Sequence, residues 1–182
     1  MSENKSKTRV IVPCRLSYAR IWSPNEDGKY SVCLLVPKSD TKTLKKIQAA
    51  VEAAKSEGKH KLANKAGHIP VNIKTPLRDG DEEKADDENY VDHMFFNANS
   101  KNKPGIVDRR KQEIIDEEEV YSGCYANVSV SFYAFSVDGN KGIAAGLGNI
   151  QKLKDGERLS GGPSAEEEFD DLGDDDDDDF LS

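Results

Sequence analysis

Residues 9–22 alternate in character: Val10, Val12, Cys14 and Leu16 fall on one side, and Arg9, Pro13, Arg15 and Ser17 mostly on the other. A period of two is the signature of a strand with one wet face. Ser23-Pro-Asn-Glu-Asp-Gly28 supplies turn residues, and the apolar run at 29–37 completes a long β-hairpin. The period then changes. Leu44, Ile47, Val51 and Ala54 recur at helical spacing with lysines between them, Ser39-Asp40 offers a cap, and Gly58 a stop. This predicts one amphipathic helix over about residues 40–57, lying on a sheet. Short strands are expected at 68–77 and 93–98, with residues 79–92 between them marked as loop by their composition. A basic turn at 99–105 leads into a short extended piece, Ile106-Val107-Asp108. The clearest strand is 122–137, where Cys124, Ala126, Val128, Val130, Phe132 and Ala134 form an apolar face opposite Tyr125, Asn127, Ser129, Ser131, Tyr133 and Phe135. Asp138-Gly-Asn-Lys-Gly142 reads as a hairpin turn, 143–153 as the returning strand, and Gly161-Gly-Pro-Ser as the start of a linker.

Five or more strands joined mainly by hairpins, with one helix, predict a mainly β fold, a small antiparallel barrel or sandwich. The expected architecture is an OB-fold-like five-stranded antiparallel barrel with an inserted helix. Residues 1–160 form the domain, with an acidic loop at 79–92, and residues 161–182 form a flexible, disordered acidic tail.

Charge sharpens this picture. The 182-residue chain has a net charge of −8, and residues 164–182 carry eleven carboxylates with no Lys or Arg. Residues 1–163 hold 23 acids against 26 Lys and Arg. Within them, residues 1–78 are +10 and residues 79–92 are −7. A basic body with a polyanionic tail points to a polyanion as partner, and to the tail as its mimic. No run is long enough to span a membrane, and the polar residues 1–7 are not those of a signal peptide, so no membrane partner is expected.

Candidate chemistry is sparse. Cys14, Cys33 and Cys124 are odd in number, far apart and set in apolar runs, the pattern of buried, reduced thiols in a cytosolic protein. His60, His68 and His93 provide no metal-ligand spacing. Gly80 stands second in the acidic run, where an EF-hand needs it sixth. Residues 142–148 are Gly-rich but lack the Lys-Ser/Thr of a phosphate loop, and no nucleophile motif occurs. No catalytic activity, cofactor or metal is expected. Single-stranded nucleic acid is held differently, by cations along the phosphates and aromatic rings under the bases, at about 1–3 kcal/mol per base. The chain interleaves the two. Arg15, Tyr18, Arg20 and Trp22 cluster on the first strand, Phe95 and Phe96 precede Lys101 and Lys103, and Arg109, Arg110 and Lys111 precede Tyr121 and Tyr125. Core packing competes for every ring. Phe132 belongs to the core, whereas Tyr125 shares its face with Asn127 and Ser129 and is the favoured stacking ring.

Five motifs add a resemblance. Arg15-Leu-Ser-Tyr-Ala-Arg20, Tyr30-Ser-Val-Cys-Leu-Leu-Val-Pro-Lys-Ser-Asp40, Pro76-Leu-Arg-Asp-Gly80, Tyr121-Ser-Gly-Cys124 and Gly139-Asn-Lys-Gly-Ile-Ala-Ala-Gly-Leu-Gly-Asn-Ile-Gln151 resemble a family of tailed-phage single-stranded DNA-binding proteins. The likeness runs over about residues 8–163 and implies an OB-fold without catalysis. It also implies a role in phage DNA replication, recombination and repair, in the cytoplasm of the infected bacterial host. Phage or host replication and recombination proteins would be recruited by an acidic tail that also competes for the DNA site. The tail residues concerned are Phe169, Asp174, Asp175, Asp176, Asp177, Asp178, Asp179 and Phe180. Bacterial tails end in Phe, whereas Leu181 and Ser182 follow Phe180 here. Homo-oligomerisation or cooperative assembly on DNA remains open. Two other readings stand beside this one: a phage adaptor or inhibitor whose acidic segments bind a host DNA-metabolism enzyme, and a metal-dependent nuclease built on Asp79, Asp81 and nearby acids.

Overall fold

The computed structural model describes residues 7–71, 73–159 and 170–173. The expected hairpin forms from β1 (Arg9–Arg20) and β2 (Tyr30–Pro37), which pair antiparallel. Helix α1 (Thr41–Glu57) follows, with the Asp40 carboxylate accepting from the Thr43 N–H at 3.2 Å. At its far end the Gly58 N–H donates to the Ala54 carbonyl, and a side chain at Gly58 would run into Ala134. Glycine is needed there because the helix stops hard against the sheet. A short α2 (Lys59–Leu62), β3 (Arg78–Asp79) and α3 (Gly80–Glu83) lead to β4 (His93–Ser100) and β5 (Ile106–Val107). The long β6 (Tyr125–Val137) and β7 (Asn140–Lys154) form the closing hairpin.

The strands lie in the order β3-β4-β2-β1-β6-β7-β5, and a further pairing of β4 with β7 closes the sheet. β4, β2, β1, β6 and β7 therefore form a five-stranded barrel, antiparallel except at the parallel Asn99–Gly146 closure. This is the OB-fold barrel expected from the pattern. Its interior takes the predicted Val12, Leu16, Val128 and Phe132, together with Leu34 of β2 and Phe96 of β4, a ring expected beside the cations and found in the core. Phe96 and Phe132 meet at 5.7 Å between ring centroids. Ile47, Ala50, Val51 and Ala54 of α1 join the same cluster, packed on β1 and β6.

Two expectations need correction. Residues 68–77 do not form a strand. Among the described residues of that stretch, only Lys74 makes a β-bridge, to Gly142. Pro70 and Pro76 lack the N–H a ladder needs, while Ile69, Ile73 and Leu77 still pack against the core. The acidic segment 79–92 is not a plain loop either. It begins in β3 and α3, and Lys38 clamps it through ion pairs to Asp79 (2.8 Å) and Asp81 (2.7 Å). Asp81 also accepts from the Asp92 N–H at 3.0 Å, tying the two ends of the segment together. The Lys38 ammonium holds both carboxyls below the ordinary carboxylate range.

Replacing Phe132 with Ala should cost about 3–5 kcal/mol of unfolding free energy, read from urea denaturation. A group whose pKa is depressed on folding contributes stability above its unfolded pKa and loses it as pH falls through the folded value. Carboxyl NMR titration should therefore show Asp79 and Asp81 protonating below the model-peptide value of about 3.9. Lys38→Met should return both upward and speed exchange of the Asp92 amide.

Candidate functional site

The alternation that buries Cys14 and Ala126 turns their neighbours outward. Arg15 pairs with Tyr125 across β1 and β6, and Tyr125 with Lys154 across β6 and β7, so three outward side chains stand side by side. The Arg15 guanidinium carbon lies 5.7 Å, and the Lys154 ammonium 4.9 Å, from the Tyr125 ring centroid. Both are within reach of the negative ring face.

After β7 the chain turns back over this surface. Gly123 (φ 117°) and Gly156 bring the two backbones so close that a side chain at either would collide with the carbonyl of Glu157 or of Gly123. Arg15 bridges the crossing: Nε donates to the Gly123 carbonyl at 3.0 Å and Nη2 to the Glu157 carbonyl at 2.7 Å. Tyr121 Oη accepts from the Gly156 N–H at 3.2 Å and shares its own proton between Asp155 (3.1 Å) and the Gly156 carbonyl (3.0 Å). Arg158 lies 4.3 Å, and Lys152 5.7 Å, from the Tyr121 ring. Lys152 also pairs with Asp155 at 2.6 Å. Burial alone would lower the Lys152 pKa, but the Asp155 carboxylate outweighs it and holds the ammonium above its usual value. Asp155 is lowered, first by Lys152 and then by the Tyr121 hydroxyl. The result is a face with Arg15, Lys152, Lys154 and Arg158 gathered around Tyr121 and Tyr125.

The other predicted residues surround the same end of the barrel. Trp22 is half-buried, donates from Nε1 to the Val120 carbonyl at 3.0 Å, and has the Lys103 ammonium 5.0 Å from its ring. Arg20 and Lys101 are exposed at the ends of β1 and β4. Arg109, Arg110 and Lys111 occupy an exposed turn organised by the Asp108 carboxylate, which accepts from the N–H groups of Arg110 and Gln112. Arg109 reaches the Leu153 carbonyl at 3.2 Å, and with Arg110 it shares a cleft with Lys152. Tyr18 is 60% exposed, with φ 46°, at a bulge in β1.

Phe95 is a correction. It points away from the barrel interior, as a stacking ring would, but is only 6% exposed. Tyr90 meets it edge-on at 5.1 Å, and the two share a second cluster with Cys33 and Leu35, against which Leu159 packs. Phe95 is thus a packing residue in this structure. Lys152, Lys154 and Arg158 were missed, although the Lys-Leu-Lys run at the end of the returning strand was the available signal. The tail residues Phe169 and 174–180 lie outside the described residues. All three cysteines are free and buried, and burial raises each thiol pKa, that of Cys33 to about 11. Among the described residues no group of three His, Cys, Asp or Glu is arranged to hold a metal.

The family described as Enterobacter phage Enc34 single-stranded DNA-binding protein matches residues 7–181. Protein p50 of Acyrthosiphon pisum secondary endosymbiont phage 1 is 31% identical, covering 87% of this chain and 90% of its own. The fold matches the single-stranded DNA-binding protein from bacteriophage Enc34, solved in complex with single-stranded DNA. That match has a TM-score of 0.72 and 25% identity, over 84% of this chain and 90% of that one. Gp2.5, a single-stranded DNA-binding protein encoded by bacteriophage T7, shares the fold at a TM-score of 0.59 and 14% identity, over 90% and 99% of the two chains.

Proposed function

The chain belongs to the family of the Enterobacter phage Enc34 single-stranded DNA-binding protein, and we propose that it coats single-stranded DNA without catalysing any reaction. The observation that carries this is the face formed by Arg15, Tyr121, Tyr125, Lys152, Lys154 and Arg158, where cations sit beside rings in the way a flexible polyanion with stacking bases requires. OB barrels commonly bind along their second and third strands, here β2 and β4. The outer residues Leu35 and Phe95 of those strands are covered by Tyr90 and Leu159. The strand therefore runs over β1, β6 and β7, with Trp22, Lys103 and the 109–111 turn extending the track.

We place this activity in phage DNA replication, recombination and repair, inside the infected bacterium. The tail follows residue 159, which adjoins Arg158 of the cation face, and tethering raises its local concentration there. It competes with DNA for the cations. Once displaced, its Phe169 and Phe180 are available to replication and recombination proteins. Copies packed along one strand would give cooperative assembly.

Fluorescence anisotropy with oligo-dT tests the binding. Log affinity should fall with log salt by about 0.7 per phosphate held, and Lys154→Ala should make the slope shallower by about that amount. Tyr125→Ala should cost about 1–3 kcal/mol. Equal affinity for duplex, or no salt dependence, would sink the proposal, and no binding at low salt would favour the adaptor reading. Ending the chain at Gly162 should tighten oligo-dT binding several-fold at low salt. An unchanged affinity would leave the tail as a recruiting arm alone.

A further inference from the structure

We propose that the bound strand continues from Tyr125 along the outer face of β6 to a second stacking ring, Tyr133, with Arg9 in the adjoining row to hold a phosphate. This rests on the single-strand-binding function above and assigns the direction and length of the track. Outward residues of β6 fall at every second position from Tyr125 to Tyr133. Register gives them their neighbours: Ile11 beside Ser129, Arg9 and Gly146 beside Ser131, and Ala144 beside Tyr133. The row of Arg15, Tyr125 and Lys154 therefore runs on into this surface without a break. Between the two rings, none of the outward residues of β6, nor of their partners on β1 and β7, is acidic.

Two large side chains on this face are bare. Tyr133 is 51% and Ile11 60% exposed, although both belong to paired strands. A half-exposed ring in line with Tyr125 offers the flat face on which a base stacks. Beyond it a cleft of about 380 Å³ opens toward α2, where His60 and Lys61 stand with Glu57. The Gly-rich stretch of β7 points the same way. A side chain at Gly142 would strike the Lys74 carbonyl, and one at Gly148 the Ser129 hydroxyl, so the protein's own packing requires both glycines. Gly146 is different. A methyl there would stand 3.4 Å from the Ser131 carbonyl oxygen and 3.7 Å from the nearest Tyr133 ring carbon, which are ordinary contacts. Glycine inside a strand weakens it, and one that no neighbour demands marks a place where a ligand approaches the backbone. Contact between copies is the rival use of such a face. Continuity with Arg15 and Lys154, and the lack of acids to meet a second copy's cations, favour the nucleic acid. Eight residues of strand separate the two rings, about 27 Å along β6. A stacked strand advances about 3.4 Å per nucleotide, so about eight nucleotides bridge them, and fewer when the strand is drawn out.

The test is anisotropy of the full-length chain, at one salt concentration, with labelled oligo-dT of about 5, 12 and 40 nucleotides, lengths set by that span. The shortest strand engages the cation face alone, whereas the middle one reaches both rings. Tyr133→Ala should weaken the middle strand about tenfold and leave the shortest unchanged, and Tyr133→Phe, which keeps the ring, should bind both normally. Gly146→Ala should also weaken the middle strand and spare the shortest, with a melting temperature no lower than that of the parent chain. Full affinity of Tyr133→Ala for the middle strand would overturn the second ring and leave the single-strand function standing. So would an equal loss on the shortest strand, which would make the effect indirect. A loss confined to the longest strand, where several copies bind, would overturn it too, by assigning the face to contacts between copies. Failure of the parent chain to bind any strand would instead remove the function on which the track rests.

Discussion

A β-sheet has two edges whose backbone groups need partners, and this fold depends on how it removes them. The sheet curls until Asn99 of β4 meets Gly146 of β7 in parallel register. Beyond that point β3 pairs with β4 and β5 with β7, which covers more of the two edges. Closure also separates the two faces of every barrel strand, one enclosed and one outside. Leu16, Phe96, Val128 and Phe132 fill the interior because they are alternate residues on strands that close. Arg15, Tyr125 and Lys154 become neighbours on the outside for the same reason.

The outer surface then has to keep positive charge usable in a chain rich in acids. Placement achieves this. The carboxylates of Asp79 and Asp81 are taken up by Lys38 at one end of the acidic segment, and that of Asp155 by Lys152 and Tyr121. Arg15 is held differently, by the carbonyls of Gly123 and Glu157. A guanidinium fixed by carbonyls and a ring is positioned without being neutralised, so its charge remains available to an anion. Arg158 is fixed in a similar way, over Tyr121. Asp87, Glu88 and Glu157 line a neighbouring cleft that Arg158 also borders.

Neighbouring residues show how far the pattern could be read in advance. Phe95 and Phe96 are consecutive, so alternation correctly puts one inside and one outside. It cannot reveal that Tyr90 and Leu159, the latter far along the chain, close over the outer ring. The stretch 68–77 has strand-like apolar residues, yet it meets the sheet only at Lys74. Apolar composition there reports contact with the core and not ladder pairing. Lys152 and Lys154 carry no local mark beyond their charge. Register against β6 brings them to the aromatic rings, and register across a barrel is not a local property.

Periodicity, caps and turn residues were enough to predict a small antiparallel β fold with the OB barrel as its leading form, where its helix starts and stops, and that its thiols are buried. These are consequences of burying one face of each element, and each is written within a few residues. Charge counting separated a basic body from an acidic tail on the same grounds. Which outward-facing rings stay bare was decided only in three dimensions. Segments remote in the chain, residues 79–92 and 155–159, are laid over some outer faces and leave others open. The availability of Tyr18 and Tyr125, and the loss of Phe95, follow from those crossings, which depend on backbones that touch only once the barrel has closed.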